Sequence, residues 1–353
     1  MSEIVPVFDG HNDFLLRLLR DPDSRDITWL TDTGQGHLDL PRMRAGGFAG
    51  GFFAVYIPSP KAHDDPNFEA IMRNPPFVLP LPEEIPFAAA LPVAMKMVGH
   101  LLWMEREGSL SICRSVADIR AAMAGGKIAA ILHFEGAEPI DPDLDALHVW
   151  HSLGLRSLGP VWSRPTAFAH GVPFAFPSSP DTGDGLTEAG KRLVKECNQL
   201  KIMLDLSHLN EKGFDDIAAL SDAPLVATHS NAHALTPSSR NLTDRQLAVI
   251  RDSDGMVGIN YATGFLRADG IAETFAGFDP VMRHLDHLIE TLGETRVGLG
   301  SDFDGATIPS DMGDVAGLPR LIDAMRAHGY DEALIAKLAH ENWLAVLERT
   351  WGG

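Results

Sequence analysis

Short apolar runs rich in Val, Ile, Leu and Phe recur along this chain. Each ends in polar residues or glycine and is followed by a stretch with helical spacing. A run that is apolar at nearly every position reads as a strand buried on both faces, and its alternation with helices reads as parallel strands joined by crossovers. Eight such runs occur, at residues 5–10, 47–56, 129–134, 157–161, 202–206, 225–228, 256–261 and 296–301. Helical patterns lie at 40–45, 91–107, 116–124, 144–153, 188–200, 215–221, 244–253 and 281–292, with two more at 319–328 and 332–349 after the last strand. A right-handed βα repeat of this number closes on itself, so the pattern predicts a single-domain (β/α)8 TIM-like barrel over residues 1–353. A doubly wound open sheet is the alternative, weakened because no GxGxxG turn follows the first run. Residues 20–36, 58–86 and 164–185 exceed a minimal barrel and are expected to be loops over the active face.

Composition narrows the class. Of the 353 residues, 45% are hydrophobic and 22% charged, enough apolar material for a large core without a membrane-like or disordered bias. The formal net charge of −19 repels phosphate backbones and anionic headgroups, which argues against nucleic acid or a membrane surface as partner. The first ten residues lack the basic and long apolar regions of a signal peptide, so a cytoplasmic location is expected. Cys113 and Cys197, the only cysteines, have no CxxC spacing and read as packing residues rather than a disulfide or thiolate metal site.

In a barrel the reacting groups sit at the C-terminal ends of strands. Metal-capable side chains stand at five of the eight: His11 and Asp13 after the first, Glu135 after the third, His208 after the fifth, His229 after the sixth and Asp302 after the eighth. His11 and Asp13, two apart, project to one side of a strand and can reach one ion. Imidazoles and carboxylates without a thiolate suit a pair of borderline cations, of which zinc fits best. A lone strand-end histidine is usually structural, but five strand ends together reverse that weighting. His284 and His287 at helical spacing, and His37, His63, His100, His148, His151, His328 and His340 in helices or loops, keep the structural reading.

These residues resemble the renal (membrane) dipeptidase family of zinc metallopeptidases, amidohydrolase-like barrels, over nearly the whole chain. The resemblance rests on Asp9-Gly10-His11-Asn12-Asp13, Glu135-Gly136, Asp205-Leu206-Ser207-His208, His229-Ser230-Asn231, Ser239-Arg240-Asn241 and Gly300-Ser301-Asp302-Phe303-Asp304-Gly305. It implies that His11 and Asp13 hold one Zn2+, that His208 and His229 hold a second, and that Glu135 bridges them. It further implies a dipeptide substrate, a shared hydroxide as nucleophile, Asp302 as proton shuttle and Arg240 as the grip on the C-terminal carboxylate. Arg240 falls after the sixth strand, on the active face, and a planar fork of donors suits a carboxylate. Asp304 is expected to cap the following turn.

Two departures from the family pattern stand out. Where mammalian members carry a histidine that polarises the scissile carbonyl, this chain has Trp162; either zinc alone polarises the carbonyl, or His170 folds back over the site. No lipid-anchor signal accompanies the sequence. The resemblance favours a dipeptidase that accepts L-Xaa-D-Xaa substrates. The alternatives are a zinc amidohydrolase acting on another amide or lactam, β-lactams included, and a binding protein with a degenerate site. Oligomeric state, including a homo-oligomer, is left open.

Overall fold

The computed structural model describes residues 4–59 and 70–352; His63 and part of the 58–86 loop lie outside them. Eleven strands occur among the described residues: β1 (Val7–Asn12), β2 (Phe48–Tyr56), β3 (Phe77–Val78), β4 (Leu110–Ile112), β5 (Ile128–Glu135), β6 (Leu155–Gly159), β7 (Ala175–Phe176), β8 (Met203–Leu204), β9 (Val226–Ala227), β10 (Met256–Ile259) and β11 (Val297–Leu299). Eight of them form a parallel ring in the order β1, β2, β5, β6, β8, β9, β10, β11 and back to β1. The seam between β8 and β9 is closed by the parallel bridge Asp205–Val226 and by the Leu206 N–H donating to the Val226 carbonyl at 2.8 Å. These eight are the eight apolar runs, and the architecture is a (β/α)8 barrel of the metal-dependent hydrolase type.

The barrel interior is filled from within and stoppered from below. Phe8, Phe52, Ala129, Ile131, Met203, Val226 and Met256 pack around Trp343, which enters from the C-terminal helix Asn342–Trp351. Trp343 is fully buried and its indole N–H donates to the Leu299 carbonyl at 2.9 Å. Glycine at 258 and 298 makes room for it. A Cβ at Gly258 would lie 2.9 Å from the Trp343 ring, and one at Gly298 would lie 2.7 Å from its nitrogen. The lumen is therefore a packed core, and the site must lie above it.

The differences from the predicted elements have local causes. The helix expected at 215–221 is Glu211–Leu220, because Asn210 accepts the Gly213 N–H at 2.8 Å and starts it four residues earlier. The 20–36 stretch is not all loop: it holds a 3₁₀ turn at Pro22–Ser24 and a helix at Arg25–Leu30, anchored by the buried Trp29, whose indole N–H donates to Ser109 Oγ at 3.2 Å. β4, three residues long and outside the ring, pairs with β5 and carried no periodicity. The helix Phe87–Arg106 is long and apolar enough to cross a membrane, but 44% of its most apolar stretch is buried inside the protein. Above the barrel, the other two long loops meet, with Phe77 and Val78 pairing antiparallel to Phe176 and Ala175.

Candidate active site

Six side chains converge at the C-terminal mouth of the barrel. Glu135, the last residue of β5, places Oε1 3.0 Å from His208 Nε2, 3.5 Å from His229 Nε2 and 3.8 Å from His11 Nε2. The two Nε2 atoms of His208 and His229 are 3.0 Å apart, and the His11 and His229 rings stack with centroids 3.9 Å apart. His11 Nε2 lies 3.4 Å from Asp13 Oδ2, and His11, Asp13 and Asp302 form a second group with ligand atoms mutually within 4.8 Å. One glutamate therefore touches three imidazoles, and one of these also faces two aspartates.

The backbone is shaped to aim these groups. His208 and Asp302 both adopt left-handed conformations, with φ of 69° and 62°, which non-glycine residues hold only where the surroundings impose them. β1 and the loop after β11 are laced together, the Asp302 N–H donating to the His11 carbonyl at 3.0 Å and the Asp13 N–H to the Phe303 carbonyl at 2.8 Å. Gly305 is required for space: a Cβ there would collide with carboxylate oxygens of Asp13 and Asp302.

The electrostatics ask for a cation. Burial pushes Glu135 and Asp302 upward from the ordinary carboxylate range, and pushes His208 and His229 well down, so both rings are neutral and able to ligate. At His11 burial works the same way, but the carboxylates of Glu135 and Asp13 outweigh it and raise the ring to about 10. Positive charge is thus favoured at the very point where His11 Nε2, buried and making no hydrogen bond, faces them. Buried unpaired polar atoms are costly, and His11 belongs to both groups of side chains that could hold a metal ion.

Arg240, 3% exposed, borders the same space. Its Nη2 donates to the His229 carbonyl at 3.4 Å, its Nε has no partner among the described residues, and its guanidinium lies 5.4 Å over the Phe265 ring. Burial lowers it to about 10, opposed by Asp302 and Glu135, so it remains a cation at neutral pH. Trp162 forms a wall, its ring 6.0 Å from His208 and 5.4 Å from Phe174. His170 places its Nδ1 3.1 Å from the Gly185 carbonyl and belongs to neither group of clustered ligand atoms. Asp304 corrects the expectation of a turn cap. It exchanges hydrogen bonds with His37, which donates its N–H to Oδ1 at 2.6 Å and accepts the Asp304 N–H on Nδ1 at 2.9 Å, tying the 31–39 segment to the end of β11. His284 is structural, accepting the Ala232 N–H at 3.1 Å.

Several supporting residues escaped sequence reasoning. Asn260, just past β10, donates to Asp302 Oδ2 at 2.9 Å; an amide is not among the usual zinc donors, and only its place on the active face could have flagged it. Arg164, fully buried, bonds Glu138 at 2.6 Å, the Ile57 carbonyl at 2.8 Å and Ser59 Oγ at 2.6 Å, and lies 5.1 Å over Trp162.

A parallel barrel whose strand ends carry a buried histidine and carboxylate cluster defines a metal-dependent hydrolase. The model of the membrane dipeptidase family, peptidase family M19, matches residues 1–351. The chain is 69% identical to a metallopeptidase from Rhodobacter sphaeroides, solved with a phosphinate mimic of the dipeptide L-Ala-D-Ala; the match covers 99% of this chain and 100% of that one, with a TM-score of 0.98. It is 68% identical to the dipeptidase AC, over 99% and 100% of the two chains, with a TM-score of 0.97. An uncharacterized protein in the pqqA 5′ region of Klebsiella pneumoniae is 50% identical over 69% of this chain and 90% of its own length. The chain belongs to the membrane dipeptidase family and is a metal-dependent dipeptidase.

Proposed function

We propose that the enzyme is a binuclear zinc dipeptidase acting on dipeptides, L-Xaa-D-Xaa among them. The observation that carries the reading is the position of Glu135 Oε1, within 3.8 Å of Nε2 on all three of His208, His229 and His11. In this reading His11 and Asp13 would hold one ion, His208 and His229 the other, and Glu135 would be shared between them. Borderline imidazole nitrogens and carboxylate oxygens without thiolate suit zinc. Bound there, two zinc ions supply a Lewis acid for the scissile carbonyl and a water acidic enough to attack at neutral pH.

The chain's own residues do the rest. Arg240 binds the free C-terminal carboxylate, its unpartnered Nε and forked donors giving a charge-assisted contact. Asp302 accepts a proton at its carboxylate and passes it to the departing amine, and Asn260, bonded to Oδ2, fixes which oxygen is free to do so. Trp162 and Phe174 wall the substrate off from solvent, and nothing in this mechanism requires His170. Acceptance of a D-residue at the C-terminal position is supported by the L-Ala-D-Ala mimic bound by the Rhodobacter sphaeroides relative.

The test is metal content together with hydrolysis. Purified protein should hold close to two zinc ions per chain and cleave L-Xaa-L-Xaa and L-Xaa-D-Xaa dipeptides, and Glu135→Gln should disturb both metal positions. Two zincs and full activity in that variant would disprove the bridge. Hydrolysis of β-lactams or simple amides in preference to dipeptides would move the reading to a lactam or amide hydrolase.

A further inference from the structure

Beneath His229 a chain of hydrogen bonds runs away from the metal cluster and ends on a buried carboxylate. His229 Nδ1 lies 2.8 Å from Thr228 Oγ1, which lies 2.6 Å from Asp205 Oδ2. Asp205 is 1% exposed, and its Oδ1 accepts two backbone N–H groups, from Ser207 at 3.0 Å and Thr228 at 2.9 Å. His133 Nε2 stands 3.6 Å from the same Oδ2, while its Nδ1 is held by Ser157 Oγ at 2.8 Å.

The direction of the chain follows from counting donors. A carboxylate only accepts, so the single Thr228 hydroxyl proton points to Asp205. Toward His229 the hydroxyl can then only accept, and Nδ1 must carry the ring proton. Nε2 is left with its lone pair, and Nε2 is the atom facing Glu135 and His208. His208 has no such support: its Nδ1 is buried without a partner among the described residues, and its ring is held by its left-handed backbone and the flanking Trp162 and Phe174 rings. The two histidines that look equivalent in sequence are thus held in place by different means.

We propose that Asp205 and Thr228 are positioning residues that lock His229 in its Nδ1–H tautomer and so set the affinity for the ion His229 binds. The proposal rests on His229 being a ligand. Outer partners of this kind hold a ligating imidazole in orientation, and their loss weakens metal binding by about 10- to 100-fold.

Zinc affinity of the full chain, stripped of metal and titrated against a chromophoric chelator, tests this without recourse to activity; the visible spectrum of the Co2+-loaded protein reports the ligand field. Thr228→Val removes the hydroxyl at nearly constant shape and should weaken one of the two ions by about 10- to 100-fold and alter the Co2+ spectrum, while Thr228→Ser restores both. Asp205→Asn makes a sharper demand. The two backbone donors keep the amide oxygen on their side, so the amide NH2 faces Thr228, turns its proton toward His229 Nδ1 and drives the ring proton onto Nε2. That variant should bind the ion at least as weakly as Thr228→Val, and in the valine background it should add little, since both break one chain. If Thr228→Val does not fold, Asp205→Asn decides alone. Chelator titrations and Co2+ spectra of the Asp205 and Thr228 variants that superimpose on wild type overturn the proposal. Wild-type binding by His229→Ala overturns the ligand assignment beneath it instead.

Discussion

Asp302 combines an upward-shifted carboxyl, a left-handed backbone and one oxygen already committed to Asn260. Burial of the carboxyl and the left-handed backbone each cost stability that an ordinary surface aspartate would not, which is the pattern of a group held for chemistry. Asp302→Asn should lower kcat by at least ~10²-fold while leaving zinc content largely intact; steady-state kinetics beside metal analysis check it, and an unchanged kcat removes Asp302 from the mechanism. Arg240 is the other residue whose role can be isolated. Losing a shielded charge-assisted pair costs ~2 to 5 kcal/mol, and at ~1.4 kcal/mol per tenfold this is roughly 30-fold to several thousandfold in kcat/KM. Arg240→Lys should recover little, because an ammonium cannot reproduce the fork. A dipeptide amide should lose a similar amount with the unaltered enzyme, and the two losses should not add. Equal rates on dipeptide and amide would rule out the carboxylate grip.

Among the elements, the segment carrying Trp162 is anchored by a buried ion pair. Arg164 and Glu138 are both fully buried at the side chain and 2.6 Å apart, and the surrounding bonds to the Ile57 carbonyl and Ser59 fasten this loop to the end of β2. Burial raises Glu138 and the neighbouring guanidinium lowers it, so the carboxyl depends on its partner for its charge. Removing one member strands the other, at a cost of about 3 to 5 kcal/mol. Glu138→Ala should therefore lower the unfolding free energy by that order in a denaturant titration, and should raise KM through the displaced Trp162 wall. A neutral result would mean the loop is held elsewhere, for instance by its pairing between Phe77 and Phe176.

For the whole molecule, the working face depends on the opposite end of the barrel. Trp343 touches Phe52 at a centroid distance of 5.1 Å and is bonded to Leu299, so the last helix fills the floor on which the strand ends with the histidine and carboxylate cluster rest. Trp343→Ala opens a large cavity and should cost about 3 to 5 kcal/mol, read as a fall in Tm. Stability within experimental error of the unaltered protein would show that the C-terminal helix is an appendage rather than a stopper.

The sequence by itself determined the barrel and which side chains stand at its strand ends, because both are written in local signals. Apolar runs that are buried on all sides need no knowledge of their neighbours to be read as strands, and His11, Asp13, Glu135, His208, His229 and Asp302 each follow such a run. Their convergence on one mouth is a consequence of barrel closure, which brings every strand end to the same rim. What only the tertiary structure decided are the pairings between segments remote in the chain. The Asp304 exchange with His37 spans 267 residues and the Asn260 contact with Asp302 spans 42, while Arg164 reaches Ile57 across 107. None of these partners has a periodicity or spacing that points to the other. Even between neighbours, the direction of a hydrogen bond such as that from His229 to Thr228 is set by a third residue, Asp205, which the fold brings to β9 from the preceding strand.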